Sequence, residues 1–316
     1  LLEDAEGILQ GEEDDNGLLP FICRLDSKKE VDDEANWTKA NPSLPYLPNL
    51  LAETRKEYRE WKKNPERLPA FMSKRMNLTA GAKEAAVTSW ENIKATNKEL
   101  PELKGWSCTV GIDYMKTSDF AAVNFHFKDG DKRYDINHAW ICSASKDIPR
   151  IKAPWREWVK KGQLEYVDDI EIHPSVIANY IAETGKKYSI AMVAIDNYRY
   201  SLLSDALARV GISKEHGNLM LVKQTDIITV VPIIDHCFLN QYFHWGDDPV
   251  LRWATNNTKV IRYGRQQGAD KGSFVYAKIE ARSRKTDPFM ALVASMVPES
   301  KIKERPKVRK VRTITL

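Results

Sequence analysis

The chain lacks the features that mark several common protein classes. It has only four cysteines in 316 residues, Cys23, Cys108, Cys142 and Cys237. None belongs to a C-x-x-C pair, which argues against a zinc site, and three sit in apolar surroundings suited to buried thiols in a reducing cytosol. No apolar run approaches the roughly 20 residues that a membrane-spanning helix needs. The start, LLEDAEGILQGEEDDNG, is too acidic for a signal peptide. Six histidines are scattered with no pair at helical metal spacing, and His126 and His138 read as core or surface residues rather than ligands. No G-x-x-x-x-G-K-[ST] phosphate loop occurs, so no ATP hydrolysis is expected from this chain by itself. No internal repeat is visible.

What the chain does have is a hydrophobic share of 42%, enough for a substantial core in one large or two smaller domains. Its net charge of +4 hides an asymmetry: residues 1–60 hold 15 acids against 7 bases, and residues 251–316 hold 16 bases against 5 acids. A polyanion is the natural partner for the basic end.

Periodicity divides the chain. Residues 1–46 are acidic and then punctuated by proline, with PFICRLD reading as a strand that closes some preceding unit. A helix over 49–63 places Leu51, Thr54, Tyr58 and Trp61 on one face and stops at Asn64-Pro65. A second helix over 66–77 carries Phe71 and Met72. The polar stretch before Trp106 reads as a linker, giving a small helical region over 47–104. SCTVGID, FAAVNFHF and RYDINHAWICS then form an antiparallel meander. Helices alternate with the strands SIAMVAID and NLMLVK, and TKVIRYG and GSFVYAKIEA precede a last helix from Pro288 to Val297. Trp106, Trp155 and Trp158 read as core. This is an α/β arrangement with a mixed sheet and flanking helices over 105–298, followed by a basic, disordered tail over 299–316.

Three aspartates stand at the ends of, or within, separate apolar elements: Asp113 after SCTVGI, Asp196 after AMVAI, and Asp287 before PFMALVASM. Each has a plain structural reading. Asp113 suits a hairpin end, Asp196 a loop start, and Asp287 an N-cap with proline at the first helical position. Converging carboxylates do not all ionise cheaply without a cation between them, so the chemical reading is a divalent metal site serving phosphodiester cleavage. Gly111 marks a close backbone approach. Lys278, Arg282, Arg284 and Lys285 are the candidate phosphate contacts. Asp119 and Asp169 are possible additional ligands.

The order of these segments resembles the carboxy-terminal portion of the large subunit of tailed-bacteriophage terminases, over about residues 1–298. NWTKANPSL and FMSKRMNLTA are similar to the region joining motor and nuclease, and HWGDDPVLRWATNN to the segment before the last nuclease motif. GIDYMKTSDFAAV, AIDNYR and RSRKTDPFMALVASM look like the three nuclease motifs; Pro288 stands where many relatives have a small residue. The resemblance implies an RNase H-like fold and an acidic centre of Asp113, Asp196 and Asp287 holding two Mg²⁺ or Mn²⁺ ions. It also implies cutting of concatemeric double-stranded viral DNA in the host cytoplasm, with the terminase small subunit, the portal protein of the prohead and an ATPase motor half as partners. Residues 1–46 then correspond to the trailing edge of that motor, and the opening Leu1 suggests an excised piece, a processed chain or a split gene product. Two other readings remain: a different RNase H-like nuclease, such as a junction resolvase or an integrase-type enzyme, and a non-catalytic DNA-binding assembly module.

Overall fold

The computed structural model describes residues 17–64, 67–78, 85–116, 120–263, 273–280 and 283–303, with a few isolated positions before Gly17. The chain divides into two compact units, Leu1–Lys83 and Glu84–Leu316.

The first unit is helical. It contains α1 (Trp37–Ala40), α2 (Pro48–Lys63) and α3 (Leu68–Arg75), preceded by short 3-10 turns. Leu25, Val31, Trp37, Ala40 and Leu44 bury themselves with Phe71, Met72 and Met76, and Leu51, Tyr58 and Trp61 of α2 pack on the same core. The expected face of α2 is therefore the buried one. PFICRLD does not form a strand; it runs without sheet partners among the described residues. Leu25 instead enters the helical core, so the region before residue 46 and the helices after it share one hydrophobic cluster.

The second unit begins well before Trp106. Residues expected to be linker form the two-residue strand β1 (Ala85–Ala86) and a helix, α4 (Trp90–Lys94), capped by the Ser89 hydroxyl accepting from Asn92 N at 3.3 Å. Val87, Ile93 and Leu103 are buried. Apolar side chains every few residues hold this stretch in the core, although its polar composition reads as a loop.

The main sheet contains β2 (Ser107–Asp113), β3 (Ala121–Asp129), β4 (Lys132–Cys142), β5 (Glu165–Val167), β6 (Ser189–Asp196) and β7 (Leu219–Val222), in the spatial order β5-β4-β3-β2-β6-β7. The short β8 (Phe243–His244) also pairs with β4. The meander β2-β3-β4 is antiparallel, whereas β6 runs parallel to β2 and β7 parallel to β6. This is the mixed RNase H-like sheet that the sequence led us to expect. A separate three-stranded ribbon joins β1 to β9 (Thr258–Tyr263) and β10 (Ser273–Lys278).

Between the strands lie α5 (Trp155–Lys160), α6 (Pro174–Gly185), α7 (Tyr200–Arg209), α8 (Gln224–Leu239), α9 (Pro249–Asn256) and α10 (Asp287–Met296). Strand alternation sends successive side chains to opposite faces. Val110, Ile112, Val193 and Ile195 face α6 and α7, where Ile177, Ile181, Leu203 and Leu207 complete the core. Gly111, Asn124 and Ala194 face α8 and α10. Cys108, Cys142 and Cys237 are buried free thiols, and burial pushes the Cys108 thiol up to about 12. Trp106, Trp155 and Trp158 are core residues. Among the described residues no helix is long and apolar enough to cross a membrane.

The first residues of the expected tail are structured. Glu299–Lys301 forms a 3-10 turn, and Glu299 is held against the sheet by His126, Lys128 and Arg133. Residues 304–316 lie outside the described residues.

Candidate active site

Parity places two of the aspartates. Asp113 shares a strand face with Gly111, and Asp196 shares one with Ala194, so both carboxylates emerge on the α10 side of the sheet. Because β2 and β6 are neighbouring parallel strands in register from Thr109 to Ile112, both strands end at the same edge. Parallel sheets gather functional groups at this carboxyl edge. Asp113 and Asp196 line one cleft of about 270 Å³ with Tyr198, Arg199, Val222, Ile227, Met290 and Val293 among the other walls.

Asp196 is oriented by its own loop. Its Oδ1 accepts from Tyr198 N at 2.7 Å, and its carbonyl accepts from Arg199 N at 3.1 Å. The Arg199 side chain returns across the cleft, donating from Nη1 to the Tyr114 carbonyl at 2.6 Å. Tyr198 is exposed beside it. Sequence reasoning named neither residue; the only signal was their position directly after a strand-ending acid.

Helix α10 forms the opposite wall, and Gly111 explains how it comes so close. A Cβ on Gly111 would lie 2.0 Å from the Ala291 carbonyl oxygen and 2.4 Å from Ser295 N. Helix backbone thus rests directly on strand backbone. Polar bonds fasten the two together: Thr109 Oγ1 donates to the Ser295 carbonyl at 2.7 Å, and Asn124 Nδ2 donates to Ser295 Oγ at 3.0 Å.

Asp287 is the first residue of α10, with Thr286 as the N-cap residue, so the expected N-cap assignment is off by one position. It is buried, and its Oδ1 lies 3.8 Å from Lys278 Nζ at the end of β10. It does not line the cleft of Asp113 and Asp196. Among the described residues, no three His, Cys, Asp or Glu side chains are grouped so as to hold a metal ion. The structure therefore gathers two of the three expected acids and stations the third beside a lysine. The pair still suits a hard cation: the cleft offers carboxylate oxygens and neither His nor Cys. Mg²⁺ is commonly bound by one or two carboxylates, with water and substrate phosphate completing its shell.

The expected phosphate contacts are placed differently. Lys285 is fully buried, and its Nζ lies 2.5 Å from Asp147 Oδ2. A buried, paired ammonium is a structural tie and cannot reach a phosphate at the surface. Arg284 pairs with Glu280 at 3.5 Å, and Lys278 with Asp287. Arg282 lies outside the described residues, as does Asp119. Asp169 is not among the residues lining the cleft, and its carbonyl accepts from Cys142 Sγ and from Ser143 Oγ at the end of β4. His138 and His126 are paired with carboxylates, His138 with Glu165 at 2.9 Å and His126 with Asp135 at 2.7 Å, in keeping with structural roles.

Comparison with known proteins identifies the family. Residues 12–297 match the family described as terminase large subunit, endonuclease domain. The chain belongs to this family. Terminase large subunits from Lactococcus phage SK1 and Enterobacteria phage HK97 are 24% and 20% identical over 289 and 257 residues, covering 87% and 78% of this chain. They are matched over 50% and 49% of their own lengths, so the chain spans about half the length of these terminases. The crystal structure of the HK97 bacteriophage large terminase superposes with a TM-score of 0.59 at 17% identity, covering 94% of this chain and 60% of that one. This likeness is one of fold, and it covers nearly the whole chain.

Proposed function

We propose that this chain is a divalent-metal-dependent endonuclease that cuts concatemeric double-stranded viral DNA during genome packaging. One observation carries the reading: Asp113 and Asp196 end adjacent parallel strands and face the same cleft. Hydrolysis adds the oxygen of water to phosphorus and breaks one P–O ester bond, leaving a phosphate monoester and an alcohol. A bound Mg²⁺ or Mn²⁺ supplies charge neutralisation at the phosphate and acidifies water. Asp113 and Asp196 are the proposed ligands, and the Tyr198 amide keeps Asp196 aimed. Arg199, anchored by the Tyr114 carbonyl, is placed to neutralise phosphate charge at the mouth of the cleft.

Asp287 enters the proposal as the third carboxylate. Lys278 Nζ lies 3.8 Å from its Oδ1, so an ammonium and a metal ion would compete for that oxygen. By the same family reasoning, the small subunit, the portal protein and an ATPase motor half are the proposed partners, and the host cytoplasm is the proposed site of action.

Incubation with supercoiled plasmid in EDTA, Mg²⁺ or Mn²⁺ tests the reading. Metal-dependent nicking or linearisation supports it. Preference for a synthetic four-way junction over plasmid would favour a resolvase, and DNA binding without cleavage in any metal would favour an assembly module.

A further inference from the structure

Of the basic residues expected to meet DNA, Lys278, Arg284 and Lys285 are paired with carboxylates, which raises the question of what else at the acid-bearing edge is positive. Because β3 is antiparallel to both β2 and β4, β4 ends at the same edge as β2 and β6. Trp140 pairs with Ala121 at that edge, one step from the pairing of Ala122 with Asp113. The chain leaving β4 there carries six bases, Lys146 among them, and two acids over residues 146–161.

The fold turns this segment outward. Ile151, Trp155 and Trp158 are buried against Ala122, Ala139 and Ile141 of the sheet and Ala291 of α10. Lys146, Lys152, Arg156, Lys160 and Lys161 are left at the surface on the other side. The Arg156 guanidinium lies over the Trp155 ring, 4.4 Å from its centroid, a cation–π contact that restrains it. Of the two acids, Asp147 is neutralised by buried Lys285, and that pair ties the segment to the start of α10. Exposed Asp168 and Asp169, following the outer strand β5, lie beside the start of the segment, where the Asp169 carbonyl accepts from Cys142 Sγ and Ser143 Oγ.

We propose that the segment from Lys146 to Lys161 is the surface that grips the phosphate backbone of duplex DNA while the cleft addresses the scissile bond. The proposal rests on the nuclease reading for its purpose but not for its test. β4 stands two strand spacings from β2 and three from β6, roughly 10 and 14 Å. That is about three to four base-pair steps at roughly 3.4 Å each. A duplex whose backbone enters the cleft therefore presents neighbouring phosphates to this segment.

The test is duplex binding by fluorescence anisotropy in EDTA across a salt series, using the full chain. Each neutralised phosphate that a variant gives up lowers the slope of log K against log salt by about 0.9. The variant Lys152→Ala/Lys160→Ala/Lys161→Ala is expected to lower the slope by about 3 and to weaken binding at least about tenfold at low salt. Arg156→Ala, made separately because it also removes the ring stacking, is expected to lower the slope by about 1. Lys187→Ala/Arg209→Ala, exposed in the turn before β6 and at the end of α7, should match wild type. Unchanged slope and affinity in the triple variant, or no duplex binding by wild type, would overturn the proposal. Binding that shows these reductions while no metal supports cleavage would sustain the proposal and defeat the nuclease reading.

Discussion

Gly111 of β2 and Ala291 of α10 meet backbone to backbone, so that a methyl group at Gly111 would sit 2.0 Å from the Ala291 carbonyl oxygen. This meeting sets the distance between the sheet that carries Asp113 and the helix that carries Asp287. Neither backbone can move aside without breaking the ladder or the helix. Gly111→Ala should therefore cost at least the roughly 1–3 kcal/mol typical of overpacked cores. Cleavage should fall further than stability explains, because the wall of the cleft is displaced. Thermal melting with parallel cleavage rates at a temperature where the variant is folded checks both parts; a fully active, equally stable variant would refute this role for Gly111.

Lys285 and Asp147 provide a second test. Removing one member of a buried pair strands the other's charge and typically costs about 3–5 kcal/mol. Lys285→Ala is expected to fall at the lower end, since the Asp147 side chain retains 15% exposure. Arg284→Ala, paired at the surface, should stay within about 0.5 kcal/mol. Chemical denaturation of the two variants distinguishes a structural lysine from a DNA-binding one.

The buried cluster around His126 predicts a pH dependence. Burial disfavours the imidazolium, but Asp135 and Glu299 outweigh it and raise His126 to about 9. Glu299 is likewise opposed by burial, yet His126 and Arg133 lower it to about 2. A raised histidine stabilises fully below its unfolded value of about 6.5 and loses that contribution as pH rises through about 9. A lowered carboxylate stabilises above its unfolded value of about 4.5 and loses the contribution as pH falls through about 2. The pair contributes most between pH 4.5 and 6.5. Melting temperature should decline from pH 6.5 to 9, and the decline should be shallower in His126→Gln. Equal declines would place the titrating group elsewhere.

If Asp287 is a ligand, Lys278, 3.8 Å from its Oδ1, would compete with the cation. Lys278→Ala should lower the half-saturating Mn²⁺ concentration by about 2–5-fold, equivalent to the roughly 0.5–1 kcal/mol of a partly exposed ion pair. A rise instead would mean that Lys278 assists the metal or the substrate.

Much of the fold was legible in the sequence because strand and helix periods are local. The SIAMVAID run read as a strand and forms β6 between β2 and β7, and the face of α2 carrying Leu51, Tyr58 and Trp61 is the one buried. Gly111 was readable as a close approach because nothing else favours glycine in a central strand. Pairings between distant segments were not readable. The union of β1 with β9 joins Ala85 to Val260, and the one of β8 with β4 involves only two residues of each strand. Charge was the poorest guide: Lys285 and Arg284 are adjacent in sequence, yet one is buried on Asp147 and the other lies at the surface. Burial is decided by packing partners from other elements, which a charge count does not contain.

If Asp113 and Asp196 hold the catalytic metal, neither can be replaced by its amide without loss of cleavage. The most direct test is plasmid cleavage in Mn²⁺ by wild type, Asp113→Asn and Asp196→Asn, each confirmed folded by its melting curve. Loss of a direct ligand should exceed the roughly 10–100-fold cost of losing an outer-sphere partner. Both variants are expected to be folded, to bind duplex DNA and to lose more than about 100-fold in rate. Cleavage by either variant at close to the wild-type rate would contradict the claim.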